Sequence, residues 1–298
     1  MEWFIAADSS CDLFPQRVSA KGTGIDPAAE QALDVDDASL PEIGFDTVPF
    51  IIRVGETDYI DGDNLDTDEM LTAMEHEPEA SSTACPSPAA FEELFERGEK
   101  VIGITISSHL SGSYESADIA RRDVLERNPG KKLVLLDSCS TGPETALCID
   151  MMIKWIREGL SFDEVVANAQ AFLDETRTIF ALNSFHNLVK NGRMPKIVGF
   201  LAGALGMWGI GIGSDRGEII IKGKARGAAK AVKIIVEDMF QRGYNGGRVL
   251  ISHAHNPQFA ERVAQGIREH WSNAYVLIIP TRGLDSFYAE RGGVIIGY

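Results

Sequence analysis

The chain has 298 residues, of which 44% are apolar and 24% are charged, values that are typical of globular proteins and exclude disordered, collagenous and membrane classes. Because a single domain usually spans about 100–200 residues, this length predicts two domains. The formal net charge of −16 repels phosphate backbones and anionic lipid surfaces, so neither nucleic acid nor a membrane surface is an expected partner.

The cysteines and the N-terminus favour a cytoplasmic protein. The four cysteines contain no CxxC pair and are too few for a disulfide framework, which indicates a reducing compartment. The opening sequence MEWFIAADSS lacks the basic flank of a secretory signal. Residues 197–214 are uncharged over 18 positions but contain six glycines, which favours a buried helix followed by a strand over an integral membrane segment.

The first half of the chain alternates short apolar runs with polar loops and helical patterns. The runs are WFIAA, VPFIIRV, VIGITI and LVLLD. This alternation predicts βαβ units and a parallel sheet. The segment between Arg17 and Phe45 is rich in glycine, proline and acidic residues, and we interpret it as a solvated surface loop.

The second half has strand-like runs of its own, and we place the domain boundary near Gly159, giving domains 1–158 and 159–298. The runs IFAL, RVLISHA, YVLIIP and VIIGY alternate with amphipathic helices, and WGIGIG, SDRG and EIIIKGKA form a predicted hairpin. Pro195 to Met207 predicts a buried apolar helix, in which Gly199 and Gly203 share one face for close packing. The predicted fold class is α/β, with a parallel-sheet domain followed by a domain with a mixed sheet.

Small hydroxyl residues are concentrated in four loops of the first half, each after an apolar run or before a helix. The loops contain residues 8–10, 81–87, 107–112 and 137–140. In a parallel sheet such loops meet at the carboxyl ends of the strands, where hydroxyls and helix N-terminal amides can bind an anion. The alternative is that each serine caps a helix or forms a turn, as Ser87 before Pro88 suggests.

Several of these segments together resemble a known family. In chain order they are ADSSCDL, SSTACPSP, ITISSHLSGSYESA, LLDS, NGRM and KGKARGAAKAV, and they resemble the DegV family of bacterial fatty-acid-binding proteins. The resemblance implies two α/β lobes that hold a long-chain fatty acid in an apolar tunnel. It also implies a carrier without enzymatic activity or cofactor, which presents its fatty acid to a separate ATP-dependent fatty acid kinase for acyl-phosphate formation.

The resemblance assigns residues to the carboxylate site. Thr83 matches the threonine of the family's TSQP segment, although the next two residues differ. Ser107 and Ser108 match the serines of SSxLSG, and Arg193 matches the arginine of GGRI.

The end of the chain departs from the family pattern. The family's HTGPG is replaced by YAERGG, which places Tyr288 where the carboxylate-binding histidine is expected. A phenol can donate a hydrogen bond but carries no charge near neutral pH. We therefore expect Tyr288 to bind the carboxylate, with Arg291 as a substitute cation.

Other motifs point to no cofactor or metal. Gly209 to Gly213 echoes a phosphate-binding loop but precedes a strand, whereas a nucleotide fingerprint requires a following helix. His253 and His255 would share a strand face, yet no further ligand accompanies them at zinc-site spacing. The aspartates of DGDNLD at 61–66 lack the glycine and glutamate of a calcium loop and are interpreted as a solvated turn.

The rival hypothesis is an enzyme that uses the same serine-rich edge, for example an esterase or a phosphotransfer enzyme. Ser107 or Ser108 would be the nucleophile, with His109 as the only base nearby in sequence. No GxSxG elbow surrounds either serine. A closed apolar tunnel would support the carrier, whereas an open cleft with an aligned nucleophile and base would support the enzyme.

Overall fold

The computed structural model describes residues 1–33, 40–77, 81–194 and 206–298. The strands are β1 Trp3–Asp8, β2 Ile43–Val48, β3 Ile51–Val54, β4 Thr57–Ile60, β5 Ser82–Ala84, β6 Lys100–Thr105, β7 Lys132–Asp137, β8 Thr178–Leu182, β9 Met207–Gly213, β10 Ile219–Arg226, β11 Gly247–His253, β12 Ala274–Pro280 and β13 Val294–Gly297. The α-helices are α1 Pro27–Gln31, α2 Thr67–His76, α3 Pro88–Phe95, α4 Ser113–Arg127, α5 Pro143–Arg157, α6 Phe162–Glu175, α7 His186–Lys190, α8 Ala228–Gln241, α9 Pro257–His270 and α10 Gly283–Ala289.

The N-terminal sheet is parallel and has the strand order β2-β1-β6-β7. Its central strands are apolar and buried on both faces, as parallel strands covered by helices require. The prediction of a parallel sheet is confirmed. The segment interpreted as a solvated loop is only partly so, because it contains helix α1, buries Ile25 in the core and includes the first two residues of the edge strand β2.

One predicted strand lies in a different sheet. Apart from Val48, which ends β2, the strand of the run VPFIIRV is β3, and it belongs to a small antiparallel sheet of order β4-β3-β5. Its residues alternate between exposed and buried positions, and a two-residue turn returns the chain directly into β4. A two-residue hairpin can join only antiparallel strands, so the pairing is set locally.

The C-terminal sheet is mixed and has the order β10-β9-β8-β13-β11-β12. Only β11 and β12 pair in parallel, and the predicted hairpin of β9 and β10 is confirmed. Helices α8 and α9 cover one face through a core that includes Ile210, Ile235 and Val263. The expected α/β class, with a parallel first sheet and a mixed second sheet, is confirmed.

Helix boundaries follow the capping signals in the sequence. Ser87 caps α3 and Pro88 occupies its first turn, while Ser161 and Glu164 form a reciprocal capping box at α6. The apolar segment expected to form a helix from Pro195 to Met207, including Gly199 and Gly203, lies outside the described residues except at its last two positions. Within the described ranges, no helix combines the length and apolar content needed to cross a bilayer.

The two sheets share helix α5. The core beneath β1 and β6 includes Ile149 and Met152 of α5, Val165 of α6 and also Leu250 of β11. The proposed domain division at 158/159 stays a prediction, and the helix that follows it, α6, packs in the core of the N-terminal sheet. This arrangement holds the loops of the N-terminal sheet against the open face of the C-terminal sheet.

Candidate functional site

An apolar cavity lies between the strand-end loops of the first half and the C-terminal sheet. The space between its walls, counted together with the adjoining solvent, is about 770 Å³. Phe50, Ile106 and Leu284 form one side of the wall. Side chains of β8 and β13, among them Phe180 and Ile295, form the other. The space is therefore suited to a hydrocarbon chain.

The strand periodicity of β8 directs its side chains into this cavity. Phe180 and Leu182 are two positions apart and line the wall, whereas Ile179 and Ala181 point into the core on the other face. In β13, Ile295 is the register partner of Phe180 and continues the same apolar row. The sheet thus builds half of the cavity from alternate residues of neighbouring strands.

Three polar side chains of the cavity wall lie close together where the cavity adjoins a polar cleft that Arg193 also lines, and we call Thr83, Arg193 and Tyr288 the mouth cluster. The Thr83 Oγ1 and Tyr288 OH atoms are 2.9 Å apart and hydrogen-bonded. The Arg193 guanidinium lies 5.7 Å from the centre of the Tyr288 ring. All three residues line the cavity, so the structure brings together three of the residues that the sequence predicts for carboxylate binding.

Arg193 is held by backbone carbonyls. Its Nε donates to the Leu110 carbonyl at 3.1 Å, and its Nη1 donates to the Asn191 carbonyl. Within the part of the chain that the structure describes, Arg193 forms no ion pair with a carboxylate. Because the charge is positioned without a carboxylate partner there, the mouth cluster can receive an anion.

The Tyr288 hydroxyl remains a hydrogen-bond donor over a wide pH range. Burial raises the pKa of Tyr288, while the hydrogen bond with Thr83 and the charge of Arg193 act in the opposite direction. A neutral phenol can donate to an oxygen anion and accept from the threonine hydroxyl at the same time. Tyr288 can therefore replace the donor function of the family's histidine, but not its charge.

Ser107 and Ser108 are not part of the mouth cluster. The fully buried Ser107 hydroxyl donates to the Gly217 carbonyl at 2.9 Å and accepts from the His109 amide. Ser108 is exposed, and its amide donates to the Asp137 carboxylate. Ser111, from the same loop, lines the cavity instead. In this loop, Ser107 thus binds the turn of the C-terminal hairpin, and Ser111 contributes to the cavity wall.

Arg291 also lies away from the mouth cluster. Its guanidinium binds the carboxylates of Asp68 and Glu75 and the hydroxyl of Thr72 on helix α2. The carboxylates neutralise its charge at the surface. The cation beside Tyr288 is consequently Arg193 and not Arg291.

Serines of the strand-end loops serve mainly to hold the loops in place. The buried Asp8 carboxylate accepts from the Ile106 amide at 3.1 Å and the Ser113 hydroxyl at 2.6 Å, as well as from Ser10. The Asp137 carboxylate accepts from the Ser108 and Cys139 amides. The alternative that these serines form caps and turns therefore accounts for most of the hydroxyls. The loops that they hold in place form part of the cavity wall.

A second polar group is buried beside the cavity, and we call Asp12, Asp61, Arg282 and Asp285 the acid cluster. Arg282 is 1% exposed and donates to the Leu13 and Asp61 carbonyls. The Asp61 carboxylate accepts from the amides of Gly283 and Leu284 and from the Ser9 hydroxyl. The acid cluster joins the loop after β1 to the start of α10.

Two carboxyl groups of the acid cluster face each other. The Oδ2 atoms of Asp12 and Asp285 both lie within 3 Å of the position that a Cβ would occupy at Gly142, and neither has a hydrogen-bond donor among the described residues. Burial raises the pKa of Asp12 to about 7, and burial together with the charge of Asp12 raises the pKa of Asp285. We infer that the two oxygens share a proton, which would satisfy both.

The motifs considered for metals have structural roles. Asp61 is buried against Arg282 and Asp66 caps α2, so the first of these residues does not belong to the solvated turn that the sequence predicted. His255 lies beyond the end of β11 and contacts Thr67, so it does not share a strand face with His253. Among residues 1–33, 40–77, 81–194 and 206–298, no group of three or more His, Cys, Asp or Glu side chains could hold a metal ion.

The sequence did not point to the apolar wall or the acid cluster. Phe180 and Ile295 belong to runs that are apolar on both faces, so periodicity could not separate the cavity side from the core side. Arg282 and Asp285 lie in a polar stretch before a short helix, which reads as a surface loop. A usable signal was the alternation of glycine in WGIGIG, because it leaves one strand face without side chains.

Comparison with known proteins identifies the family. A family model described as "Uncharacterised protein, DegV family" matches residues 32–295. The chain belongs to the DegV family. A DegV domain-containing protein of Streptococcus pyogenes serotype M1 is 38% identical over 298 residues, which cover 100% of this chain and 99% of the relative.

Solved structures of the DegV family share the fold and hold fatty acids. The Streptococcus pneumoniae Fatty Acid Kinase B3 protein loaded with linoleic acid is 36% identical, with a TM-score of 0.88 and coverage of 100% of this chain and 99% of that chain. A DegV family protein from Eubacterium eligens loaded with heptadecanoic acid is 31% identical, with a TM-score of 0.87 and the same coverage. The ligand in both structures is a long-chain carboxylic acid.

Proposed function

We propose that this DegV protein binds one long-chain fatty acid, with the acyl chain in the cavity between the sheets and the carboxylate at the mouth cluster. The observation that carries the proposal is the distribution of polarity. The cavity wall is apolar over most of its surface, while Thr83, Arg193 and Tyr288 gather in one cluster that contains the cation Arg193. A fatty acid has the same distribution, with one anionic end and an apolar remainder.

The energetics favour this ligand. Each methylene buried in the cavity contributes about 0.8 kcal/mol, so a chain of about 14–18 carbons is held firmly without further polar contacts. When the acid binds, its carboxylate replaces the hydrogen bond between Thr83 and Tyr288, accepts from both hydroxyls and lies near the positive charge of Arg193. Because hydrogen bonds to charged groups contribute about 1.5–3 kcal/mol, the mouth cluster determines the direction in which the chain enters.

We further propose that the protein has no catalytic activity alone and presents the acid to a separate ATP-dependent fatty acid kinase. The name of the S. pneumoniae neighbour, a fatty acid kinase B3 protein, supports this role. All four cysteines are free thiols, which fits the reducing cytoplasm where such a kinase would find ATP. The mouth cluster lies beside a polar cleft lined by Ser108, His109 and Asn191, so the carboxylate end is the one that faces a partner.

The contacts of the strand-end serines favour a carrier over an enzyme. The Ser107 hydroxyl donates its proton to the Gly217 carbonyl, whereas a nucleophilic serine donates to a basic side chain. Ser108 is exposed outside the cavity wall. Neither serine is therefore oriented as the rival esterase or phosphotransfer hypothesis requires.

Extraction under denaturing conditions followed by mass spectrometry tests the binding proposal. Protein purified from bacterial cytoplasm should release one long-chain fatty acid per chain. Arg193→Gln should lower the affinity for added fatty acid by about tenfold or more, because it removes the cation beside the carboxylate. Arg122→Gln, on the exposed face of α4, is the matched control and should bind as the parent does. If well-folded protein neither releases nor takes up a fatty acid, the proposal is wrong.

The partner proposal has its own test. Incubation of the loaded protein with ATP should give no acyl phosphate until a bacterial fatty acid kinase is added. Turnover of acyl esters or ATP by the isolated chain, abolished by Ser107→Ala or Ser108→Ala, would instead establish the enzyme hypothesis.

A further inference from the structure

Strand β9 has an unusual division between its two faces. Trp208, Ile210 and Ile212 are buried in the core under α8 and α9, where the Trp208 ring stacks on Phe259. Gly211 and Gly213 alternate with them and so lie on the opposite face, where Gly213 lines the cavity. The motif Gly209 to Gly213, which resembles a phosphate loop in sequence, therefore builds a strand whose cavity side carries no side chain at these positions.

The neighbouring strand fills the space above Gly211 with an aromatic ring. Phe180 of β8 is the register partner of Gly211. A Cβ built on Gly211 would lie 2.3 Å from Cζ and 2.6 Å from Cε2 of the Phe180 ring. The Phe180 ring therefore lies over β9 in direct contact with the glycine, while its exposed side forms part of the cavity wall.

Neighbouring atoms restrict the movement of the Phe180 ring and of a methyl group at position 211. The backbone carbonyl of Ile220 on β10 would lie 3.0 Å from the same Cβ, so a methyl group on β9 is also confined from the strand side. The ring of Phe185 packs edge-on against Phe180 at 6.3 Å between centroids. Open space adjoins Phe180 on the side of the cavity, so a methyl group at position 211 would tip the ring into the channel.

We propose that Gly211 determines the width of the acyl channel by allowing the Phe180 ring to lie on the sheet. This inference rests on the proposed function and adds to it the residue pair that decides which fatty acids fit. With glycine at position 211, the Phe180 ring lies against β9 and takes up no width of the channel, so the channel accepts the full hydrocarbon chain. With any side chain there, the channel is narrowed at Phe180, and long or bent chains are rejected first.

A fatty acid series provides the measurement. Purified Gly211→Ala protein, stripped of lipid, should show weaker binding of the longest straight-chain and cis-unsaturated acids than the parent protein. The loss should be about fourfold for each methylene that the ring excludes, while acids too short to pass Phe180 should bind as before. Gly223→Ala is the matched control, because a Cβ at Gly223 on the adjacent strand meets no atom within 4 Å. This variant should keep the parental profile.

Two further variants isolate the contact between the ring and the glycine. Phe180→Leu should widen the channel and shift the preference toward longer or more bent acids, and Gly211→Ala with Phe180→Leu should regain the long acids that Gly211→Ala rejects. If Gly211→Ala does not fold, the Phe180→Leu variant alone tests the inference. An unchanged chain-length profile in Phe180→Leu would then overturn it. A parental profile in folded Gly211→Ala protein overturns it equally.

The same experiment separates this inference from the function on which it rests. If the parent protein binds no acid of the series, the proposed function is wrong. If the parent binds fatty acids and all three variants share its chain-length profile, the function stands and the role of Gly211 is wrong.

Discussion

The mouth cluster and the acid cluster both join the two halves of the chain, yet they differ in how their charges are satisfied. In the acid cluster, Arg282 is 1% exposed, its guanidinium pairs with the Asp61 carboxylate, and its backbone amide donates to Asp12. In the mouth cluster, Arg193 and two hydroxyls line open space, and Arg193 has no carboxylate partner in the described residues. The first group satisfies its charges internally, whereas the second has hydrogen-bonding capacity left for an anion.

This difference shows how a ligand site can be distinguished from a structural junction of similar composition. Buried polar groups are usually satisfied by the protein itself. A site for a charged ligand must instead keep a charge of the opposite sign positioned and unsatisfied until the ligand arrives. By this criterion we propose the mouth cluster as the binding site, whereas the acid cluster joins the start of α10, the helix on which Tyr288 lies, to the loop after β1.

Removal of Arg282 should give the largest effect. Arg282→Met leaves the buried carboxyl groups of the acid cluster without their cation, and we expect a loss of about 3–5 kcal/mol in the free energy of unfolding. Urea unfolding at neutral pH measures this change. In the matched variant Arg193→Met the free energy of unfolding should fall by about 1 kcal/mol or less, because the Arg193 guanidinium is half-buried and forms no ion pair among the described residues. Equal losses in the two variants would remove the distinction between the clusters.

The shared proton of Asp12 and Asp285 should make stability depend on pH. The pKa of Asp12 is raised to about 7 by burial, whereas an aspartate in the unfolded chain titrates near pH 4. The folded state therefore retains a proton that the unfolded state has lost. The contribution of this pair to the free energy of unfolding should be fully present below about pH 4 and should be lost as the pH rises toward and through about 7. We expect the loss to be about 1.5–3 kcal/mol.

The variant Asp285→Asn tests this proton directly. It keeps the shape of the side chain, donates an amide hydrogen to Asp12 and removes the shared titration. The decrease in unfolding free energy between about pH 5 and about pH 8 should become smaller. It should not vanish, because burial also raises the pKa of Asp8, Asp61 and Glu144. An unchanged slope would contradict the shared proton.

The hydroxyls of the mouth cluster should affect binding without affecting the fold. Thr83→Val keeps the shape of the side chain and deletes one donor, so the fatty acid affinity should fall by about tenfold, or about 1.4 kcal/mol. Tyr288→Phe should give a similar loss. Calorimetric titration measures both, with exposed Thr57→Val on the same small sheet as the control. Parental affinity in Thr83→Val would show that the carboxylate is bound elsewhere.

The smallest effects are expected at two residues that the sequence singled out and the structure places elsewhere. Ser108→Ala changes an exposed hydroxyl, and Arg291→Ala removes surface ion pairs with α2. Each should change the fatty acid affinity by less than about 0.5 kcal/mol, which is the usual scale for surface substitutions. A tenfold loss in either variant would return that residue to the carboxylate site.

The contrast between the clusters also explains which features the sequence could predict. Strand and hairpin patterns identified both main sheets, because alternation and turn residues act locally. The pairing of Thr83 with Tyr288 depended on resemblance to a family, since 205 positions separate the two residues. No local pattern indicated that Arg291 pairs with acidic residues of α2, because these come near it only in the folded chain.

The glycines of β9 show a feature whose local structure could be predicted from the sequence but whose role could not. Alternation in WGIGIG predicted a strand in a hairpin, which the structure confirms. The meaning of Gly211 depends on the register that places Phe180 beside it. Register between β8 and β9 is a tertiary property, set by the packing of both faces, and no local pattern encodes it.

The orientation of a bound fatty acid tests the central claim most directly. A crystal structure of the protein saturated with a long-chain acid brominated at its methyl end would locate both ends of the ligand. We predict that the carboxylate oxygens lie within hydrogen-bonding distance of Thr83 Oγ1 and Tyr288 OH, with the bromine deep between the sheets beyond Phe180. A carboxylate elsewhere along the cavity wall, for example beside Cys139 and Thr178, or an empty cavity at saturating ligand, would contradict this account.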